Sequence, residues 1–176
     1  PVRVLVGIAG ILLVAYGLYL FLIYEAQKSL IFQPKPVPES YEYQYDHIDT
    51  AAVSPVIKGQ DSLRLSTLLF EHANPKGILV FYHGNADNLA DIQEPVERFY
   101  RRGYHVLIWD YREYGKTGGT LTYENLRRDA MQVAHYADSS YALPVIPFGR
   151  SLGTALAAHV AAKLQVPEVL LQSPFY

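Results

Sequence analysis

The sequence contains no cysteine. Disulfide staples and thiolate metal sites are therefore excluded, although this absence does not assign a compartment. Charge is sparse: 18% of residues are Asp, Glu, Lys or Arg, and the formal net charge is -2. There is no basic tract to receive a polyanion, so nucleic acid is not an expected partner. Low-complexity segments and an internal repeat period are also lacking, and the 15 tyrosines are spread along the chain.

One stretch, Val4 to Tyr24, has no charged residue at all. As a helix its 21 residues span about 31 Å, matching a hydrocarbon core of about 30 Å. Tyr16, Tyr19 and Tyr24 gather toward its C-terminal end, where an aromatic belt would sit. A cleaved signal peptide is the competing reading, but the run is longer than a usual h-region and no small-x-small site comes after it. A buried core helix would show an apolar stripe, whereas Leu, Ile and Val cover every face here. Residues 1–27 are therefore expected to be a single-pass membrane anchor. Arg3 competes with Lys28 and Lys35, so topology stays open, with the extracytoplasmic side favoured for the remainder of the chain. Residues 28–40 form a linker in which Pro34, Pro36 and Pro38 alternate, favouring an extended, semi-rigid spacer.

Beyond the linker, Tyr41 to Ile48 alternates like an edge strand, and Ser62 to His72 like a longer one, with Gly59-Gln60-Asp61 as the turn between them. Gly77 to Tyr82, His105 to Trp109, Val145 to Phe148 and Glu168 to Gln172 are short apolar runs that read as strands buried on both faces. Helical spacing covers Asn88 to Arg102, Tyr123 to Tyr136 and Thr154 to Leu164; Pro95 should bend or break the first. Alternating buried strands and helices predict an α/β domain over residues 41–176, a mostly parallel sheet covered on both sides with an antiparallel N-terminal edge. In such a sheet chemistry gathers beyond the C-terminal strand ends. The loops after three of these strands carry His83-Gly84-Asn85, Asp110-Tyr111-Arg112 and Gly149-Arg150-Ser151-Leu152-Gly153, so all three should meet on one rim.

The last of these is G-x-S-x-G between a strand and a helix, the pattern of a nucleophile elbow. Glycine flanks the serine because side chains at Gly149 or Gly153 would collide with the neighbouring strand or helix. A serine in an ordinary strand-to-helix turn, capping the helix, is the plainer reading.

Taken in order, His83-Gly84-Asn85, Asp110-Tyr111-Arg112 with Tyr114-Gly115, Gly149 to Thr154, and Ser173-Pro174-Phe175 resemble the α/β-hydrolase superfamily. The branch they resemble is that of membrane-anchored serine hydrolases related to serine aminopeptidase-like and prolyl-oligopeptidase-like enzymes. Phe32-Gln33-Pro34 after the apolar helix is similar to that branch as well. The resemblance implies an α/β-hydrolase fold, Ser151 as nucleophile, and an oxyanion hole from the backbone N–H groups of Leu152 and Asn85. His83, Gly84, Asp110, Gly149 and Gly153 would shape the surrounding loops. The implied reaction is hydrolysis of an ester, thioester or amide in a small-molecule, lipid-like or peptide substrate, with no cofactor and no metal. Glu113 stands where the branch usually has glycine, Thr117 where serine is common, and Gln172 where glutamate is common.

The superfamily's acid and histidine come after the serine in the chain. After Ser151 there are only Glu168, at the opposite end of the next strand, and His159, two turns along the helix. Neither fits. Pro1 in place of Met and an apolar strand running to Tyr176 are read as marks of an N-terminal fragment, with the last strands and the acid and base beyond it. On this reading the 176 residues alone are inactive, and a non-catalytic membrane-tethered binding or scaffold module is the alternative. His83 near the rim is a minor candidate base; His47, His72, His105 and His135 read as packing or solvent-facing residues. Asp87 and Asp91 are one turn apart near His83, but read as the acidic start of a helix rather than a metal site. Gly115-Lys116-Thr117 ends like a phosphate loop but lacks the glycine five residues earlier, where Asp110 stands.

Overall fold

The computed structural model describes residues 1–45, 48, 52–59 and 61–174. His47, Gln60, Phe175 and Tyr176 lie outside the described residues. The chain forms two units, Pro1–Gln33 and Pro34–Tyr176.

The first unit is one helix, α1 (Val2–Ile31), none of whose residues is buried. By length and composition it can cross a membrane. It continues through Ile31, so four residues expected in the linker belong to its last turn. Ala26, Gln27, Lys28 and Leu30 are good helix formers. The stop comes only near Pro34, which disfavours helical backbone at Gln33. The N–H of Phe32 closes the end on Lys28 O at 2.8 Å.

The second unit contains β1 (Ile57–Lys58), β2 (Arg64–Leu65), β3 (Thr67–Phe70), β4 (Ile78–Tyr82), α2 (Gln93–Tyr100), β5 (His105–Trp109), α3 (Tyr123–Ser140), β6 (Val145–Arg150), α4 (Gly153–Leu164) and β7 (Leu170–Gln172). Five strands make one sheet in the order β3-β5-β4-β6-β7. β3 runs antiparallel to β5; all other pairings are parallel. This is the α/β-hydrolase fold that the resemblance implies, with its antiparallel edge.

Every residue of β3, β4 and β5 is buried. Alternation along β4 explains why. Leu79 and Phe81 join Leu68, Phe70, Val106, Ile108 and Phe148 in a cluster closed by Leu89, Ile92 and Val96 of the α2 segment. On the other face Tyr82 donates its hydroxyl to Ala130 O of α3 at 3.3 Å, where α3 and α4 pack on β4 and β6. β4 thus lies between β5, reached through α2, and β6, reached through α3. The connections change direction between β4 and β6, and in sheets of this kind ligands bind beyond the C-terminal strand ends at such a switch point.

Two expectations need correction. No strand forms over the described part of Tyr41 to Ile48. Tyr43 and Tyr45 instead turn onto the core and use their hydroxyls on Asp110 and Leu89 O. The hairpin lies further along, where β1 pairs antiparallel with β2, and on the outer side of β3 Leu69 bridges to Val53. Pro95 does not break a helix begun at Asn88, because α2 starts at Gln93 and places Pro95 in its first turn, where a missing N–H costs nothing. The proline-rich segment is docked on the β5 loop and on Asp91. Val37 N–H donates to Gly115 O at 2.9 Å, Gly115 N–H to Lys35 O at 3.1 Å, and Lys35 Nζ pairs with Asp91 at 2.8 Å.

A buried ion pair locks the loop after β5 to α3. Arg112 Nε and Nη2 donate to the two oxygens of Asp129 at 2.6 and 3.0 Å, and its outer nitrogens reach Asp61 at 2.6 and 2.9 Å. The Arg112 and Asp129 side chains are 3% and 1% exposed, against 57% for Asp61. Asp129→Ala leaves a buried guanidinium short of a partner and is expected to cost about 3 kcal/mol in urea unfolding. Asp61→Ala should cost much less, since water can replace the exposed carboxylate; equal losses would show that burial does not set the difference.

Candidate functional site

Ser151 sits between β6 and α4 with φ at 50°, in the left-handed region that a side chain disfavours. It is exposed. The turn is held from both sides: Ser151 N–H donates to Gln172 O at 2.9 Å, and Ser151 O accepts from Thr154 N at 2.9 Å and from Thr154 Oγ1 at 2.6 Å. A Cβ on Gly149 would lie 2.5 Å from Thr154 Cα, and one on Gly153 2.7 Å from His83 O and against the carbonyl of Tyr82. Both glycines are therefore steric necessities: one lets α4 leave close to β6, the other lets it pass over the end of β4. Leu152 is the N-cap of α4, with φ -49° and ψ -42°, so its N–H belongs to the helix N-terminus, where N–H groups lack intrahelical partners.

The loop after β4 lies alongside. His83 is fully buried, stacked on Tyr111 with ring centroids 3.8 Å apart. Its Nδ1–H donates to Gly84 O at 2.7 Å, and its carbonyl accepts from Tyr111 Oη at 2.8 Å. Burial pulls the imidazole down to about 4, so it is neutral at physiological pH. The ring is closed off from solvent and packs against the β5 loop through Tyr111. Asn85 Oδ1 accepts from Tyr114 Oη at 2.8 Å, so that side chain is tied to the β5 loop.

Asp110, fully buried at the end of β5, accepts from Leu89 N at 2.9 Å and from Tyr43 Oη at 3.0 Å. It joins the linker side of the domain to the loop before α2. Gly115 packs so closely that a Cβ there would lie 2.7 Å from Asp110 Oδ1, and its φ is 50°. Desolvation raises the Asp110 carboxyl to about 6, with its hydrogen bonds opposing the rise. Glu113 adopts φ 67°, the conformation for which glycine is suited. It is retained with Oε1 accepting from Leu121 N at 2.9 Å.

The three loops expected on one rim do come together. Tyr111 and Tyr114 join the β5 loop to His83 and Asn85, and Arg150 beside Ser151 pairs with Asp87 at 2.6 Å. Sequence reasoning misses Asp87. It assigns Asp87 and Asp91 to a helix start, but both precede α2 and each faces a cation, Arg150 or Lys35. Asp129 is also missed; the available signal is an aspartate on the apolar face that carries Leu126, Ala130 and Val133. His159 lies half-buried in α4, away from the rim, where desolvation first, and then the Arg127 and Lys163 charges, pull its imidazole below the ordinary value. Glu168 stands before β7 at the far end of the sheet.

Asp110 generates a pH prediction. Its folded value of about 6 lies above the ordinary 3.8, so the folded state holds the extra proton between these values. Stability from this group is present below about pH 4 and is lost as pH rises through 6. Relative to Asp110→Asn, the native chain should lose on the order of 3 kcal/mol between pH 4 and pH 7. Denaturant titrations of both proteins check the sign, and a carboxyl carbon resonance titrating below pH 4 would contradict it.

Comparison with known proteins places this geometry. Residues 73–176, more than half of the chain, match the model of the Hydrolase_4 family, described as serine aminopeptidase, S33. The uncharacterized protein Rv2307c of Mycobacterium tuberculosis is 29% identical over 180 residues, covering 98% of this chain and 62% of that protein. Lysophosphatidylserine lipase ABHD12 of Macaca fascicularis is 31% identical over 114 residues, covering 58% of this chain and 28% of the lipase. The chain thus spans less than two thirds of the length of these curated relatives. Among solved structures, the esterase Pf2001 of Pyrococcus furiosus matches with a TM-score of 0.69 at 20% identity, over 81% of this chain and 58% of the esterase; at that identity the likeness concerns fold alone. The strand order, the serine turn at the switch point and the family match agree: the chain belongs to the serine aminopeptidase S33 family of α/β-hydrolases.

Proposed function

We propose that the protein is a membrane-anchored serine hydrolase that cleaves an acyl bond, an ester in the first instance, in a lipid-like substrate. The observation that carries this reading is Ser151 in a left-handed turn beyond the C-terminal end of β6, beside that of β4, with both flanking glycines obligatory. Ser151 Oγ attacks the acyl carbon while its proton passes to a general base. The carbonyl electrons move onto oxygen, and the N–H groups of Leu152 and Asn85 receive the oxyanion. The intermediate then expels the alcohol, which takes up the proton, and water releases the acyl group by the same route. Each oxyanion donor is worth about 3–4 kcal/mol of barrier in a site closed to water. The N-terminus of α4 adds a favourable dipole at Leu152.

The base and its orienting acid are ascribed to polypeptide beyond these 176 residues, because neither His159 nor Glu168 lies on the rim. The apolar helix α1 supplies the anchor, and a membrane location together with the named activity of the lipase relative supports a lipid-like acyl ester over a peptide. The position of His159 and Glu168 also favours a second reading, a tethered binding module without turnover.

A fluorophosphonate probe applied to the full-length polypeptide in membranes separates the two. Labelling that disappears in Ser151→Ala, with ester turnover falling at least about 1,000-fold, is the expected result. Undiminished labelling of the variant would remove Ser151 from its role. Removal of residues 1–33 should move the protein from the membrane pellet to the supernatant, whereas retention in the pellet would assign membrane binding to the second unit.

A further inference from the structure

Asp87 lies at the junction of two of the rim loops, and neither the fold nor the proposed reaction by itself requires an acid there. Its Oδ2 accepts from Gly84 N at 3.0 Å and from Arg150 Nη2 at 2.6 Å. Its own N–H returns to Gly84 O at 3.4 Å. The two bonds with Gly84 close a four-residue turn around Asn85 and Ala86. The bond to Arg150 ties that turn to the last residue of β6, the neighbour of Ser151. Both partners are about one quarter exposed, 24% for Arg150 and 25% for Asp87, so water only partly screens the pair. Arg150 is held in turn with its guanidinium carbon 5.7 Å above the Phe81 ring. Gly84 belongs to the same device: a Cβ there would lie 2.5 Å from Asp87 Oδ2 and drive the carboxylate off the N–H.

We propose that the Asp87–Arg150 pair is a positioning device that holds Gly84 by its N–H, and with it the following Gly84–Asn85 peptide, whose carbonyl also accepts from His83 Nδ1, relative to Ser151. The proposal rests on the reading of Ser151 as nucleophile and of Asn85 N–H as an oxyanion donor. An N–H donor is effective only when held where charge develops, and a displacement of about 1 Å can cost about 100-fold in rate. The β4 loop is a turn rather than a helix or strand; Tyr114 Oη holds the Asn85 side chain from the β5 loop, and the Asp87 carboxylate holds the residue before it. A charged bridge to the elbow makes the turn and the serine move as one body. Asp87 and Arg150 act through Asn85 and touch no reacting atom.

The test uses the full-length polypeptide in membranes with a short-chain p-nitrophenyl ester, for the native protein, Asp87→Ala, Asp87→Asn, Arg150→Met, Arg150→Lys and the double variant Asp87→Ala/Arg150→Met. Amide exchange across residues 84–91 is followed in parallel. Asp87→Ala should lower kcat about 100-fold with KM changed less than about 3-fold, the pattern of an interaction expressed in the transition state. Arg150→Lys should retain most activity, and the double variant should lose no more than Asp87→Ala alone. Exchange in 84–91 should rise about tenfold in Asp87→Ala and Arg150→Met, with α3 unchanged. Asp87→Asn keeps an acceptor for Gly84 and loses the ionic tether, so it reports on the clamp if Asp87→Ala fails to fold. Additive losses, a KM effect alone, or unaltered exchange would overturn the clamp. A native protein silent toward ester and fluorophosphonate alike overturns the nucleophile reading instead, and the exchange data then decide the clamp independently.

Discussion

The start of α4 passes so close to the end of β4 that no atom larger than hydrogen fits at Gly153. The rest of the rim depends on that contact. It brings the helix N-terminus over the sheet edge, forces the chain to reverse within a few residues of β6, and leaves Ser151 with a positive φ at the outside of the bend. A strained residue persists only when its surroundings over-determine it. Here they include the bond from Ser151 N–H to Gln172 O on β7, two bonds from Thr154 to the Ser151 carbonyl, and the packing of α4 on β4 and β6. The exposed serine is thus a consequence of backbone packing.

Around that contact, buried polar groups do what apolar packing cannot: they fix loops in which neither helix nor ladder bonds are available. Asp110 joins the linker side and the α2 approach to the end of β5. Arg112 joins the same loop to α3 and to the β1–β2 turn. His83, neutral through burial, fills the space under Gly84 and stacks on Tyr111. Each is expensive to bury without partners and specific once partnered, so the loops have few alternative arrangements. Gly59 and Gly115 are part of this arrangement, because a side chain at either would occupy the volume of Asp129 or Asp110.

The parts of the fold legible in the sequence were those written in local periodicity. The apolar runs at β4, β5 and β6 declare strands buried on both faces, and the helices between them are evident from spacing. The Tyr41 to Ile48 stretch misled, because alternation describes any segment with one face inward. Tyr43 and Tyr45 face inward to bond Asp110 and Leu89, not to ladder with a neighbour. At the site, the serine and its glycines were legible because sterics restricts that turn to few residue types. Asp87 was not, since an acid three residues beyond Gly84 looks like any helix-start acid until Arg150 is seen opposite.

By itself the sequence determined the apolar N-terminal helix, the alternation of buried strands and helices, and the residues that crowd around Ser151, because each is a property of neighbouring residues along the chain. Only the tertiary structure decided the sheet order, the docking of the proline-rich segment beside Gly115, the burial that shifts the titration of His83 downward and of Asp110 upward, and the pairing of Asp87 with Arg150. These depend on contacts between residues distant in the chain, 63 positions apart for that last pair. Their energies come from desolvation and hydrogen-bond geometry, which no local pattern encodes.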